Sequence, residues 1–245
     1  MATRFGRTIR KNLFLILRLN WKLKRMAKNK SKISLEKRHR FAMKFVHKYH
    51  KDMRLNVHTS GVEYMQDYKD KGCLIVGNHQ GKSDAMTILL TLSDYTTSFV
   101  IADNASHAFF FGRVCDAMEA KRIVFEDLRS QAKVYNEIAK EVSEENRKYI
   151  IFPEAGYNDN KNELQEFHTP CFTTALKAKC PIVPVCLYDT WKVYHDDYQT
   201  KKILDIYCHV LKPIEYEEFK DMNKQELCDL VKSKIQEKIN EIEKK

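Results

Sequence analysis

Short apolar runs alternate with polar stretches along most of the chain, a pattern typical of a domain that contains both strands and helices. Apolar runs bounded by Gly, Pro or polar residues predict strands at 55–58, 73–76, 98–101, 149–152, 182–187 and 203–210. Apolar residues at helical spacing predict helices at 84–90, 126–145, 170–179 with Thr169 as cap, and from Asn223 onward. Because strands and helices alternate, we predict an α/β fold with a mixed, largely parallel sheet flanked by helices.

Residues 1–53 carry a different pattern, in which apolar and basic side chains are interspersed at helical spacing. Over residues 5–25 these side chains recur at helical spacing and Trp21 stands near the end, which is typical of a basic amphipathic helix. Ser34 is the predicted cap of a second basic helix. We predict that residues 1–53 dock on an anionic membrane surface and that residues 54–245 form the α/β domain. The alternatives are a helix pair packed on the core and a nucleic-acid-binding arm.

Composition limits the class of protein further. The chain has 245 residues, 43% of them apolar, which is enough for one sizeable core. A net charge of +10 favours an anionic partner, either nucleic acid, anionic lipid or a phosphorylated substrate. The seven cysteines are scattered without Cys-x-x-Cys spacing, which argues against a disulfide framework and a zinc site and favours a reducing cytosolic setting. We predict neither a membrane span nor a signal peptide.

The stretch CLIVGNHQGKSD, residues 73–84, carries the first candidate chemistry. His79 follows a predicted buried strand, and Asp84 lies in the first turn of the helix for which Ser83 is the predicted cap. A carboxylate there can hold one imidazole nitrogen and leave the other free to accept a proton. We therefore predict a His–Asp general-base pair in a strand-to-helix loop.

Spacing alone does not support this prediction, because nine histidines give His-x4-Asp pairs by chance. A second pair, His47 and Asp52, lies in the basic stretch KFVHKYHKD without a preceding strand or a cap. We interpret that pair as part of a solvated helix face. Context therefore separates the two pairs.

Three further stretches follow in order: Arg122, FPEAG at 152–156 and PIVPV at 181–185. Together with NHQGKSD they resemble the four motifs of the PlsC-like glycerolipid acyltransferases, the 1-acylglycerol-3-phosphate acyltransferase family. NHQGKSD resembles the family's NHxSxxD, Arg122 its second-motif arginine and FPEAG its FPEGT. The resemblance spans about residues 55–215.

The resemblance implies transfer of a fatty acyl group from acyl-CoA or acyl-carrier protein to the free hydroxyl of a lysophospholipid. The expected acceptor is 1-acylglycerol 3-phosphate and the expected product is phosphatidic acid. It implies His79 as the base, Asp84 as its orienting partner, Arg122 as a phosphate ligand and Glu154 as a ligand of the acceptor's glycerol part. We expect no metal, no organic cofactor and no nucleic acid. The expected location is the cytoplasmic face of the cell membrane, as a peripheral or monotopic protein.

The developing oxyanion needs hydrogen-bond donors, and two sets of backbone N–H groups are candidates. One set belongs to the loop that contains Gly81 and Lys82, and the other to Ala155 and Gly156. The residue pattern does not choose between them.

The chain departs from the family pattern in ways that concern the acceptor. Gly81 stands where serine is usual, Ala155-Gly156 replaces Gly-Thr, and Tyr157 stands where an arginine usually follows. Lys82 or Lys161 is the candidate replacement cation for a phosphate; otherwise the acceptor carries a less anionic head group.

Three rival functions remain at this stage. One is an acyltransferase that uses a different lysolipid, and a second is a metal-assisted phosphoesterase built on His79, Asp84 and Glu154. The third is a non-catalytic basic module that binds membrane or nucleic acid. The aromatic run Phe109–Phe111 is either core or the lining of an acyl-chain site.

Overall fold

The structure is a computed structural model that describes residues 3–107, 111–200 and 202–244. The α-helices are α1 (Arg4–Lys28), α2 (Leu35–Asp52), α3 (Asp84–Thr91), α4 (Phe111–Met118), α5 (Leu128–Glu145), α6 (Phe172–Ala178), α7 (Tyr216–Phe219) and α8 (Lys224–Glu243). The strands are β1 (Leu55–Ser60), β2 (Cys73–Gly77), β3 (Thr97–Ala102), β4 (Lys121–Ile123), β5 (Lys148–Ile151), β6 (Ile182–Tyr188) and β7 (Leu204–Val210). Short 3-10 helices occupy several of the connections.

The seven strands form one sheet in the order β1-β7-β6-β2-β5-β3-β4. Every neighbouring pair is parallel except β6 and β7, which are antiparallel. Strand β2 is central and buried along its whole length, as expected for a strand covered on both faces. The predicted α/β fold with a mixed, largely parallel sheet flanked by helices is confirmed.

Alternate residues of β2 enter two apolar cores on opposite sides of the sheet. Ile75 packs with side chains of α1, α2, α3 and α4, whereas Leu74 and Val76 pack with side chains of α5, α6 and α8. Strand β2 ends at Gly77, so the loop that carries His79 begins at the end of a strand buried between the two cores.

The two N-terminal helices pack on this domain and also present an apolar outer surface. Leu23 of α1 and Val46 of α2 are buried in the same core as β2. On the outer side of α1, Phe14 is 87% exposed and Trp21 63% exposed. Within the described part of the chain, none of the helices combines the length and the apolar character that crossing a bilayer requires.

The structure corrects two local predictions. Ser83 is the N-cap residue of α3, as predicted, but its side chain makes no capping hydrogen bond, because its hydroxyl donates to the Thr190 carbonyl across the loop. Thr169 begins a 3-10 turn that precedes α6 and is not the cap of that helix.

The His47–Asp52 pair is only partly the solvated face that the sequence predicts. His47 is exposed, but the Asp52 carboxylate accepts from Asn12 of α1 and pairs with Lys48 of α2. Asp52 therefore joins the two helices. In the aromatic run, Phe109 lies outside the described residues, as does Phe110, while Phe111 packs on Phe99 with ring centroids 5.8 Å apart.

Candidate active site

The predicted base pair is formed at the end of β2. The Asp84 carboxylate is fully buried, and its Oδ2 lies 2.8 Å from the Nδ1 of His79. The same oxygen accepts the backbone N–H groups of Gln80 and Gly81. An acceptor surrounded by three donors fixes the proton of His79 on Nδ1, so Nε2 carries the free lone pair. Nε2 has no hydrogen-bond partner among the described residues.

Two aromatic rings hold the imidazole plane. His79 stacks on Phe152 with ring centroids 4.4 Å apart and meets Tyr157 edge-on at 4.8 Å. The His79 side chain is 20% exposed, which leaves it open to a substrate on one edge. Phe152 and Tyr157 lie on either side of Glu154 in the segment after β5, so the ends of β2 and β5 together build the site.

Glu154 lies beside His79, but its carboxylate is buried and hydrogen-bonded to other residues of the protein. It is 6% exposed, its Oε1 accepts the backbone N–H of His79 at 2.9 Å, and its Oε2 accepts the Gln165 amide at 2.8 Å. Burial raises the pKa of Glu154, and these donors partly oppose that rise. The structure thus brings His79, Asp84 and Glu154 together, as the sequence predicts.

A network of buried amide side chains, not predicted from the sequence, fixes the loop that carries His79. Asn78 exchanges two hydrogen bonds with the backbone of Leu187 on β6. The Gln80 side chain accepts from the backbone and hydroxyl of Thr190 and donates to Asn162. Asn78 and Gln80 flank His79 inside the first motif, which is the only available signal; for Asn162 the sequence gives none.

A cleft of about 390 Å³ opens beside the loop. Gly81, Lys82, Tyr157, Trp191 and Tyr194 contribute to its walls. Trp191 and Tyr194 could not be predicted from the sequence, because two aromatic residues after a strand form no motif.

The predicted oxyanion donors are not equally available. The N–H of Gly81 donates to Asp84, and the N–H of Ala155 donates to the Phe152 carbonyl. For the N–H groups of Lys82 and Gly156, the described residues provide no acceptor. The candidate oxyanion donors are therefore the backbone N–H groups of Lys82 and Gly156.

The predicted phosphate ligands are spread over the molecule. Arg122 lies on β4, the edge strand, which β5 and β3 separate from β2. Its guanidinium donates to Asp116 at 2.6 Å and to the Ser106 hydroxyl at 2.8 Å, and Arg122 does not line the cleft. Lys82 lines the cleft, and the ammonium of Lys161 lies 5.5 Å from the ring centroid of Trp191 in its wall.

Comparison with known proteins defines the class of this fold and site. The sequence profile of the family described as Acyltransferase matches residues 56–188, more than half of the chain, and this range contains His79, Asp84 and Glu154. The chain therefore belongs to the acyltransferase family and is an enzyme of that class.

One curated relative and one solved structure are similar to this chain. A 1-acyl-sn-glycerol-3-phosphate acyltransferase of Borreliella burgdorferi is 26% identical over 178 residues, covering 71% of this chain and 68% of that protein. The crystal structure of the 1-acyl-sn-glycerophosphate (LPA) acyltransferase PlsC from Thermotoga maritima superimposes with a TM-score of 0.72 at 16% identity, over 97% of this chain and 96% of that one. The resemblance to PlsC-like acyltransferases is confirmed.

Proposed function

We propose that the protein transfers a fatty acyl group from acyl-CoA or acyl-carrier protein to the free hydroxyl of 1-acylglycerol 3-phosphate, giving phosphatidic acid. One observation carries the proposal: the His79 imidazole is held through Nδ1 by a buried Asp84, and Nε2 is left free. That arrangement suits removal of a proton from a hydroxyl.

The reaction follows from this geometry. The Nε2 of His79 takes the acceptor's hydroxyl proton as the oxygen attacks the thioester carbonyl, a contribution of roughly 10²- to 10⁴-fold. Asp84 stabilises the imidazolium, and the N–H groups of Lys82 and Gly156 are candidate donors to the oxyanion. Collapse of the tetrahedral intermediate breaks the C–S bond, and the departing thiolate takes the proton from His79. No acyl-enzyme is required, since the thioester is already activated.

The proposed ligands of the acceptor's phosphate are Lys82 or Lys161 at the cleft, together with Arg122, which lies on β4 outside the cleft. A phosphate monoester carries nearly two negative charges and is held well only by more than one charge-assisted donor. Tyr157 supplies a neutral hydroxyl where the family has an arginine, but Lys82 lines the cleft and the net charge is +10. The second candidate acceptor is a lysolipid with a less anionic head group, which the Asp116 partner of Arg122 favours.

We also propose that α1 docks the enzyme on the cytoplasmic face of the cell membrane as a peripheral or monotopic protein. The exposed Phe14, Leu17 and Trp21 supply an apolar surface, and Arg10 and Arg18 are basic residues of the same helix. Insertion of the aromatic side chains and attraction of the cations to anionic lipid act together.

The test is an assay of purified protein against a matrix of substrates. Lysophosphatidic acid, lysophosphatidylcholine, lysophosphatidylglycerol and a monoacylglycerol are each paired with acyl-CoA and acyl-carrier protein, and the released thiol is measured. We expect the highest kcat/KM with lysophosphatidic acid. Equal rates with the monoacylglycerol would point to a phosphate-free acceptor, and thiol release without acylation of any lysolipid would contradict the proposed function.

A further inference from the structure

The oxygens of Glu154 are engaged by the protein itself. Oε1 accepts the His79 backbone N–H at 2.9 Å, and Oε2 accepts both the side-chain amide of Gln165 at 2.8 Å and its backbone N–H at 3.3 Å. A carboxylate has about four lone-pair sites, so three of them are filled. With only 6% of the residue exposed, little of Glu154 reaches the cleft.

Gln165 also makes several hydrogen bonds to the segment that follows β5. Its amide N–H group also donates to the Gly156 carbonyl at 3.1 Å, and its Oε1 accepts from the Asn158 side chain at 2.6 Å. Gln165 thereby holds both ends of the short segment 154–158. Inside that segment lies Tyr157, whose ring meets the His79 imidazole edge-on.

We propose that Glu154 is a positioning residue for His79 rather than a ligand of the acceptor's glycerol, and that Gln165 is its required partner. The hydrogen-bonded pair Glu154–Gln165, called the clasp below, fixes the base in two ways. Glu154 holds the His79 backbone directly, and Gln165 sets the position of Tyr157 against the imidazole ring. This inference rests on the proposed acyl transfer.

The clasp makes a kinetic prediction that distinguishes positioning from substrate binding. Glu154→Ala and Gln165→Leu are both expected to lower kcat by about 10- to 100-fold, since a misplaced base loses this much, while the acceptor KM changes less than about twofold. If Glu154 bound the glycerol, Glu154→Ala would instead raise the acceptor KM, and Gln165→Leu, which frees the Glu154 carboxylate, would change the acceptor KM rather than kcat. Gln225→Leu, at an exposed glutamine on α8, is the matched control.

Exchanging the two side chains gives a sharper test. Gln165→Glu sets two carboxylates against each other, so its activity relative to wild type should fall as the pH rises from 6 to 8. In the double variant Glu154→Gln/Gln165→Glu, the new amide at position 154 can accept from the His79 N–H through its oxygen and donate to the new carboxylate at position 165 through its NH₂ group. The Gly156 carbonyl loses its donor in Gln165→Glu and in the double variant alike, and only the long 3.3 Å contact of the position-165 backbone N–H is lost in the double variant alone, so the comparison of the two variants tests the side-chain pair. We expect the double variant to recover at least about tenfold in kcat over Gln165→Glu at pH 8. No recovery would overturn the clasp.

A measurement without substrate separates this inference from the proposed function. Loss of the Glu154 acceptor should shift the amide resonance of His79 in a ¹H–¹⁵N spectrum and speed its hydrogen exchange, when Glu154→Ala is compared with the wild type at the same pH. If the wild type acylates no lysolipid but this amide is protected by Glu154, the proposed function fails and the clasp stands. If the amide is unaffected by Glu154→Ala, the clasp fails whatever the activity.

Discussion

Asp84 determines how His79 acts, because a single carboxylate oxygen accepts from the imidazole and from two backbone N–H groups. Asp84→Asn keeps the shape but replaces the carboxylate with a neutral amide, whose oxygen can accept from the three donors while its NH₂ group takes the place of Oδ1, which has no hydrogen-bond partner among the described residues. We expect kcat to fall by about 10³- to 10⁴-fold, because a neutral amide no longer stabilises the imidazolium and no longer holds His79 in a single tautomer. Thiol-release kinetics check this, with Asp94→Asn, at an exposed aspartate after α3, as control. A loss below about tenfold would show that Asp84 does not set the tautomer.

His79→Ala should abolish acyl transfer and leave the fold intact, because the ring is partly exposed and contributes little to the core. The chain offers a matched control in His47→Ala, which removes the histidine of the second His-x4-Asp pair from an exposed helix position. We expect the control to keep wild-type turnover. Near wild-type turnover of purified His79→Ala in a thiol-release assay would make the mechanism wrong.

The cations around the acceptor are tested one at a time. Arg122→Ala, Lys82→Ala and Lys161→Ala each remove a candidate donor to phosphate, and a charge-assisted hydrogen bond contributes about 1.5–3 kcal/mol. For a true ligand, kcat/KM for lysophosphatidic acid should fall about 10- to 100-fold, with a much smaller change in the donor KM. If all three variants match the exposed control Lys234→Ala, no phosphate is recognised here.

At the scale of single residues, the sequence predicts the groups that take part in the reaction but not the side chains that hydrogen-bond to them. His79, Asp84 and Glu154 are recognisable because each follows a strand in a short motif. Gln165 and Asn162 reach the site from a polar loop in which no spacing is fixed. Their hydrogen bonds join residues that are distant along the chain, so only the folded structure identifies them.

At the scale of elements, α1 serves both the core and the outer surface. Because Leu23 and Val46 are buried, deleting residues 1–50 would open the core as well as remove the proposed docking surface. The sharper variant is Phe14→Ser/Trp21→Ser, which changes only exposed positions. We expect its binding to anionic liposomes to fall by about 10²- to 10⁴-fold, since each of the two aromatic side chains contributes about 1.5–3 kcal/mol when buried and about 1.4 kcal/mol corresponds to a tenfold change.

Co-sedimentation measures this binding, and the control is Leu128→Ser, which replaces an exposed leucine on α5 instead. High salt should weaken the binding of the wild type without abolishing it, because the apolar contribution is not screened. If the α1 double variant still pellets with liposomes like the wild type, α1 does not dock on the membrane.

The elements themselves are predictable wherever a local cause sets them. Strand β2 follows from its apolar run, and α8 begins after Asn223 with the reciprocal capping pair that the sequence indicates. Ser83 stands at the N-cap of α3 as predicted, but its side chain does not cap the helix because the hydroxyl donates to a carbonyl in the loop after β6, a contact made only by folding. The antiparallel β6–β7 pair is likewise a tertiary feature, since the apolar runs carry no direction.

For the whole molecule, stability should depend on pH through two buried histidines on α2, His39 and His50. Burial lowers the pKa of His39 to about 4 and that of His50 to about 4, although His50 bonds the Val46 carbonyl. In the unfolded chain both titrate near about 6.5. Because protonation then favours the unfolded state, the free energy of unfolding falls as the pH drops from about 6.5 to about 4.

Each ring contributes roughly 2–3 kcal/mol to this fall, at about 1.36 kcal/mol per pKa unit. Asp52 and Glu119, whose pKa values are lowered by their cationic partners, lose their contribution mainly below this range. In the double variant His39→Gln/His50→Asn, neither new side chain can be protonated. The glutamine amide lies near the former Nε2 of His39 and the asparagine amide near the former Nδ1 of His50, so each site keeps a hydrogen-bonding group. The free energy of unfolding is measured in urea at about pH 7 and at about pH 4.5. Between these pH values it should fall by several kcal/mol less in the double variant than in the wild type. The control His47→Asn, at an exposed position, should behave like the wild type. An equal loss in all three proteins would mean that these buried rings do not control acid stability.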